Sequence, residues 1–195
     1  MIRLTDVVKQ ILIINVLVFI AQMTFGLDKF MLYYPPNAAF QPYQLITHMF
    51  MHGGFMHLLF NMFSLVMFGP HIESFLGSKK FLIYYFFCGI GAAAFQIFAL
   101  YISHGWDPEL PFAMLGASGA IFGLLAAFGF YFPNVQMQMI FPPIALPAKY
   151  MVIIFGVLEL VYGVGGLAPG VAHFAHVGGA IFGLLLILYW RKFGY

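Results

Sequence analysis

The sequence is short of charge. Its 195 residues carry 8 Lys or Arg and 6 Asp or Glu, so only 7% of the chain is charged. An ordinary soluble domain is about 25% charged and about 45–50% apolar. This chain has too few polar side chains to cover a water-facing surface, which excludes a soluble globular protein. No basic run exceeds two residues, so the electrostatic footprint of a nucleic-acid binder is missing. The only cysteine is Cys88, which excludes an internal disulfide and a cysteine-based zinc site. Its thiol reads as a small buried hydrophobe. What is present in excess is apolar: 63% hydrophobic residues and 19% aromatic ones, 25 of them Phe. That excess excludes disorder and leaves a polytopic, all-α membrane protein, a single domain over residues 1–195.

Charge-free stretches, broken by proline and glycine, divide the chain into six spans. They run roughly over 10–27, 55–70, 81–103, 118–132, 148–164 and 172–190, against the 20 or so residues that one crossing needs. Residues 150–190 hold a single charge, Glu159, and are split by Gly163, Gly165, Gly166, Pro169 and Gly170. An even number of spans puts both termini on one side. Arg3, Lys9, Lys79, Lys80, Lys149, Arg191 and Lys192 fall on that side and only Lys29 on the other. The positive-inside rule then predicts cytoplasmic termini. The first span is long and lacks a clear small-residue cleavage site, so it is expected to stay as a span and not act as a signal peptide. The connection over 28–54 is too apolar to be freely solvated. A partly embedded first loop is expected, with Tyr33, Tyr34 and Tyr43 at headgroup level.

Inside a bilayer the informative residues are the polar ones, because burying each is costly. They are His48, His52, His57 and Asn61 around the second span, Ser118 at the fourth, Glu159 in the fifth, and His173 and His176 in the sixth. His57 and Asn61 are four apart and share a helical face. Ser118 opens a short helix and shares a face with Phe122. Gly119 and Gly123 form a small-xxx-small pair, and His176, Gly179 and Gly183 line one face of the sixth span. If the two glycine faces pack, Ser118 and His176 meet, as a nucleophile and its general base would.

The fourth helix rises only about 21 Å, against a hydrocarbon thickness of about 30 Å. Ser118 therefore starts below the surface, and Pro111–Leu115 must dip in as irregular backbone. Such backbone is tolerated only inside protein or beside water. A watery cavity holding serine and histidine suggests hydrolysis. Glu159 sits nearer the middle of its span, away from this cluster. It is expected to be protonated or hydrogen-bonded, for instance to Tyr162 three residues on or to a partner on another helix that the sequence does not reveal, and not catalytic. His173 is expected at headgroup level, and His48 and His52 as hydrogen-bonding loop anchors.

These residues resemble the rhomboid intramembrane serine proteases. The matching pieces are His52-Gly53-Gly54-Phe55-Met56-His57-Leu58-Leu59-Phe60-Asn61, then Gly116-Ala117-Ser118-Gly119, then Ala175-His176 followed by Gly179 and Gly183. They fall in the family's order on its second, fourth and sixth helices, and the resemblance covers nearly the whole chain. It implies a six-helix bundle in which Ser118 is the nucleophile and His176 the general base, a dyad without a third acid. It implies an oxyanion site made of His57, Asn61 and the Ser118 backbone N–H. Gly116, Gly119, Phe122, Gly179, Gly183 and His52 would support them, Phe122 by packing on the catalytic histidine. The implied substrates are transmembrane proteins in the lipid bilayer, with no cofactor, no metal and no nucleic acid. A compact chain of this kind fits a bacterial plasma membrane.

Two features depart from the family's pattern. Tyr43-Gln44 stands where many relatives have Trp-Arg, and Glu73 is not followed by an arginine two residues on. Both departures bear on how the loops are anchored. The rival readings are a non-catalytic relative that binds transmembrane segments, and a metal-dependent enzyme using His48, His52, His57, His173 and His176 as ligands.

Overall fold

A computed structural model of the chain describes residues 3–138, 143–168 and 170–194. Within them the helices are α1 (Asp6–Phe25), the four-residue α2 (Gln44–Thr47), α3 (Phe55–Leu76), α4 (Ser78–His104), α5 (Ser118–Tyr131), α6 (Ala148–Gly165) and α7 (His173–Phe193). Five of these are long and apolar enough to cross a membrane, and α5 is a shorter apolar helix of 14 residues. The chain is thus a multi-pass helical bundle. Its apolar residues are spread around the helices because lipid, not water, faces the outside.

The core is a three-helix seam of α4, α5 and α7. A Cβ added to Gly179 would collide with the backbone of Gly119, and one at Gly123 would collide with Cys88. Gly183 lies under the Tyr84 hydroxyl and beside the Gly123 backbone. Side chains are thus missing at the positions where the helix axes come closest. Tyr84 donates its hydroxyl to the Gly123 carbonyl at 2.7 Å, which adds a buried polar tie to the seam. The thiol of Cys88 is fully buried there.

α3 continues one and a half turns past residue 70. Pro70 removes one helical hydrogen bond, but tertiary contacts hold the last turn. Gly69 packs against Val8 of α1, and the Glu73 carboxylate reaches the start of that helix. It accepts the backbone N–H groups of Val7 (3.1 Å) and Val8 (2.9 Å) and the hydroxyls of Thr5 and Ser78. The first N–H groups of a helix lack partners of their own, and its positive end favours an anion. Glu73 therefore caps α1 from a neighbouring helix and takes four donors where the sequence offers it no arginine.

The first loop is anchored in a similar way. Gln44 is fully buried. Its amide donates to the carbonyls of Lys29 (3.0 Å) and Ala39 (2.9 Å), and its oxygen accepts the N–H groups of Tyr33 (3.3 Å) and Gln41 (3.1 Å). A neutral amide fills the anchoring position. Tyr34 is buried within the protein and donates to Gly105 O at 2.6 Å. Leu32–Tyr33 pairs antiparallel with Ala113–Met114, and the Gly116 N–H donates to His48 O at 2.9 Å. These bonds pin the irregular segment that leads into α5.

Candidate active site

The segment before α5 decides where Ser118 stands. Gly116 has φ +121°, a conformation that favours glycine. A Cβ there would press on the His57 ring, with the Ser118 hydroxyl close behind. Ser118 is the first residue of α5. Its backbone N–H belongs to the helix turn that has no internal acceptor, and the positive helix end favours negative charge nearby.

Across the seam, α7 presents His176. Its Nε2 lies 2.8 Å from Ser118 Oγ. The Phe122 ring stacks on the His176 imidazole, with centroids 4.4 Å apart and planes within 6°. Ser118 and Phe122 are one turn apart on α5, so one helix both contacts the ring edge and covers its face. Gly119 and Gly179 let the two backbones come that close. Gln96 of α4 accepts the Ala175 N–H at 3.1 Å and fixes the first turn of α7.

His57 lies on the other side of Ser118. Its Nδ1 accepts the Gly53 N–H at 3.3 Å. That leaves the neutral ring's proton on Nε2, the nitrogen that faces Gly116. Asn61 is buried one turn further on and donates to His57 O at 2.9 Å. His52 stands edge-on behind His57 at 5.1 Å, and its backbone pairs both ways with the Gln22 amide. His48 Nδ1 contacts Gln44 O at 2.7 Å. Burial lowers the pKa of the loop residues His48 and His52 to about 4, so both stay neutral near pH 7.

Ser118, His176, His57 and Asn61 line one cavity of about 1370 Å³. Its walls come from α3, α4, α5, α6 and α7 and from Gly53–Gly54, Pro111–Gly116 and Gly170–Ala172. The cavity sits at helix depth yet is lined by several polar groups, a combination tolerated in a membrane protein only beside water.

Two residues lie where sequence reasoning did not put them. Glu159 is not away from the cluster: its Oε2 is 2.9 Å from His176 Nδ1 and 2.6 Å from His173 Nδ1. His173 is not a surface residue; it is buried, and its Nε2 is 3.0 Å from Leu167 O. α7 begins at His173, level with Glu159. Glu159 lies six residues before the end of α6, a depth of about 9 Å. No motif signals that offset.

Glu159, His173 and His176 are also the one group of three potential metal ligands that cluster among the described residues. His48, His52 and His57 form no such group with them. Donors sharing a zinc ion at about 2.0–2.1 Å stand roughly 3.3 Å apart. The observed separations of 2.6 and 2.9 Å are tighter, and suit shared protons better than a shared metal.

A family model described as the Rhomboid domain matches residues 39–193. The chain is 32% identical over 146 residues to "Rhomboid protease AarA" of Providencia stuartii, covering 71% of this chain and 52% of that protein. It is 38% identical over 88 residues to "Putative rhomboid protease YdcA" of Bacillus subtilis, covering 45% of this chain and 40% of the relative. "Rhomboid-type serine protease 2" of Emericella nidulans is 30% identical over 147 residues, 75% of this chain and 26% of its own length. The chain thus spans about half the length, or less, of these relatives.

Proposed function

The chain belongs to the rhomboid family, and we propose that it is an intramembrane serine endopeptidase that cuts transmembrane proteins with Ser118 and His176. One observation carries the proposal: a hydroxyl and an imidazole 2.8 Å apart, lining one cavity between apolar helices.

The chemistry follows from the positions. His176 Nε2 takes the Ser118 proton as Oγ attacks the scissile carbonyl carbon. The oxygen becomes negative and is met by the Ser118 N–H, the His57 Nε2–H and the Asn61 amide. Each such preorganised donor is worth about 2.7–4 kcal/mol in a well-measured serine protease. The imidazolium then returns its Nε2 proton to the leaving amine, and water in the cavity hydrolyses the acyl-enzyme by the same route in reverse. Phe122 keeps the imidazole in plane throughout. The substrate helix must unwind to offer an extended bond, so small or helix-breaking residues near the cut lower the cost.

The distribution of Lys and Arg supports cytoplasmic termini and a cavity facing the opposite side. The test is cleavage of a single-span substrate by purified protein in detergent. Wild type should cut, with or without chelator. Ser118→Ala and His176→Ala should not, and Asn61→Ala should slow cleavage by about 100-fold or more without stopping it. Cleavage by Ser118→Ala at the wild-type rate would remove the serine mechanism. Wild-type activity lost to chelator would bring the metal reading forward. Substrate captured but uncut by wild type would favour the non-catalytic binder.

A further inference from the structure

The proposed dyad leaves one ring nitrogen of its base unassigned. While His176 Nε2 accepts the Ser118 hydroxyl, the ring proton must sit on Nδ1. That nitrogen is buried, and no described acceptor meets it in good hydrogen-bond geometry. A buried N–H without a partner is costly. The polar atom at hand is Glu159 Oε2, at 2.9 Å but off the line of a straight N–H···O bond. Contacts of this kind commonly straighten only when a substrate is bound.

The carboxylate is itself held. His173 has Leu167 O against one nitrogen and Glu159 Oε2 against the other, at 3.0 and 2.6 Å. Both neighbours are acceptors, so a proton must lie between His173 Nδ1 and Glu159. The contacts form one chain: Leu167 carbonyl, His173, Glu159, His176, Ser118. Three side chains from two helices lead to the nucleophile on a third, and α6 contributes only Glu159.

We propose that Glu159 is a positioning residue for the base, turning the Ser118–His176 pair into a serine–histidine–glutamate relay with His173 as its anchor. The inference rests on the protease reading above. During attack the Ser118 proton moves to His176 Nε2, and from there to the leaving amine. The Nδ1 proton stays on His176, and Glu159 stays unprotonated towards it. The carboxylate selects the tautomer whose Nε2 lone pair faces Ser118, and it stabilises the imidazolium. The other titratable groups near His176 are His57 on α3 and His173 on α7, with Tyr162 of α6 edge-on to His173. All three remain unchanged in the variants below.

The experiment compares wild type, Glu159→Gln and Glu159→Asp in detergent from pH 5.5 to 9. It reads kcat and KM for a single-span substrate, and the rate of Ser118 labelling by a fluorophosphonate. In chymotrypsin-like enzymes the Asp→Asn change costs about 10⁴-fold in kcat. Here the Phe122 stack already orients the ring, so Glu159→Gln should lower kcat and labelling by roughly 10- to 100-fold. KM should stay within about twofold, since the interaction matters in the transition state. Without the carboxylate the imidazolium is less favoured, so the acid limb of the kcat/KM profile should move to lower pH. Glu159→Asp keeps the charge but withdraws it, and should fall between the two with the acid limb close to wild type.

A Glu159→Gln rate within about twofold of wild type with an unmoved acid limb would overturn the relay. So would a loss of rate accompanied by a raised KM and an unmoved limb, the mark of a merely structural tie. If Glu159→Gln is not recovered folded, Glu159→Asp carries the test, and an undiminished kcat in it overturns the relay. Wild type that neither cleaves nor labels would instead remove the protease reading itself.

Discussion

Two helices flank α7 and are held to it by opposite means. α5 joins it through glycines, backbone against backbone, with no room for a side chain at the closest points. α6 buries only Ala148 and Met151, both in its first turn. Beyond that turn it meets α7 through Glu159, against His173 and His176, with Tyr162 edge-on to His173 and Gly163 beside Phe174. The difference separates two demands on the site. Ser118 must stand 2.8 Å from His176, and only dense apolar packing fixes a distance that closely. On the proposed protease reading a substrate helix must also reach the cavity, which asks for a neighbour that is less firmly packed. The seam supplies the fixed distance, and α6 supplies a wall with few buried contacts.

The largest effect should come from one pair of substitutions. Gly179→Val puts a branched side chain into the Gly119 backbone and should cost about 3 kcal/mol or more. Gly156 of α6 has no neighbour within 4 Å of an added Cβ, so Gly156→Val should change stability by less than about 0.5 kcal/mol. Equilibrium unfolding in mixed detergent compares the two, and equal losses would mean that α6 is packed as tightly as the seam. Next comes Phe122→Ala, which uncovers the base and leaves the glycine contacts in place. The rate should fall roughly 3- to 10-fold, matching the 0.5–1.5 kcal/mol of an aromatic pair, with little change in unfolding. A collapse of stability in that variant would make Phe122 part of the seam's core and not a cover for the base. The smallest effect belongs to Tyr84→Phe, which removes the bond to Gly123 O. It should cost about 1 kcal/mol while cleavage continues, and a loss of cleavage without a loss of stability would contradict its place in the seam alone.

The sequence was most readable where a local pattern does the structural work. Gly119, Gly123, Gly179 and Gly183 mark helix faces by spacing alone, and a helix opening at Ser118 follows from Gly116 and the preceding Pro111. Where position depends on how one helix slides along another, spacing is silent. Glu159 and His176 are 17 residues apart on different helices. Their meeting depends on α7 starting well below the end of α6, which no motif marks. Glu73 and Gln44 were unreadable for a related reason. Each stood in the sequence only as a departure from the family's pattern, because a sequence does not display backbone donors and acceptors. Glu73 accepts two backbone N–H groups and two hydroxyls, and Gln44 pairs with two N–H groups and two carbonyls, partners that only the folded chain brings together.

The most direct test of the account is to locate the nucleophile chemically. Purified wild type would be treated with a fluorophosphonate and the adduct mapped by mass spectrometry, with His176→Ala alongside. The account predicts a single adduct on Ser118 in wild type and almost none in the variant. An adduct on another residue, or equal labelling of Ser118 without His176, would contradict it.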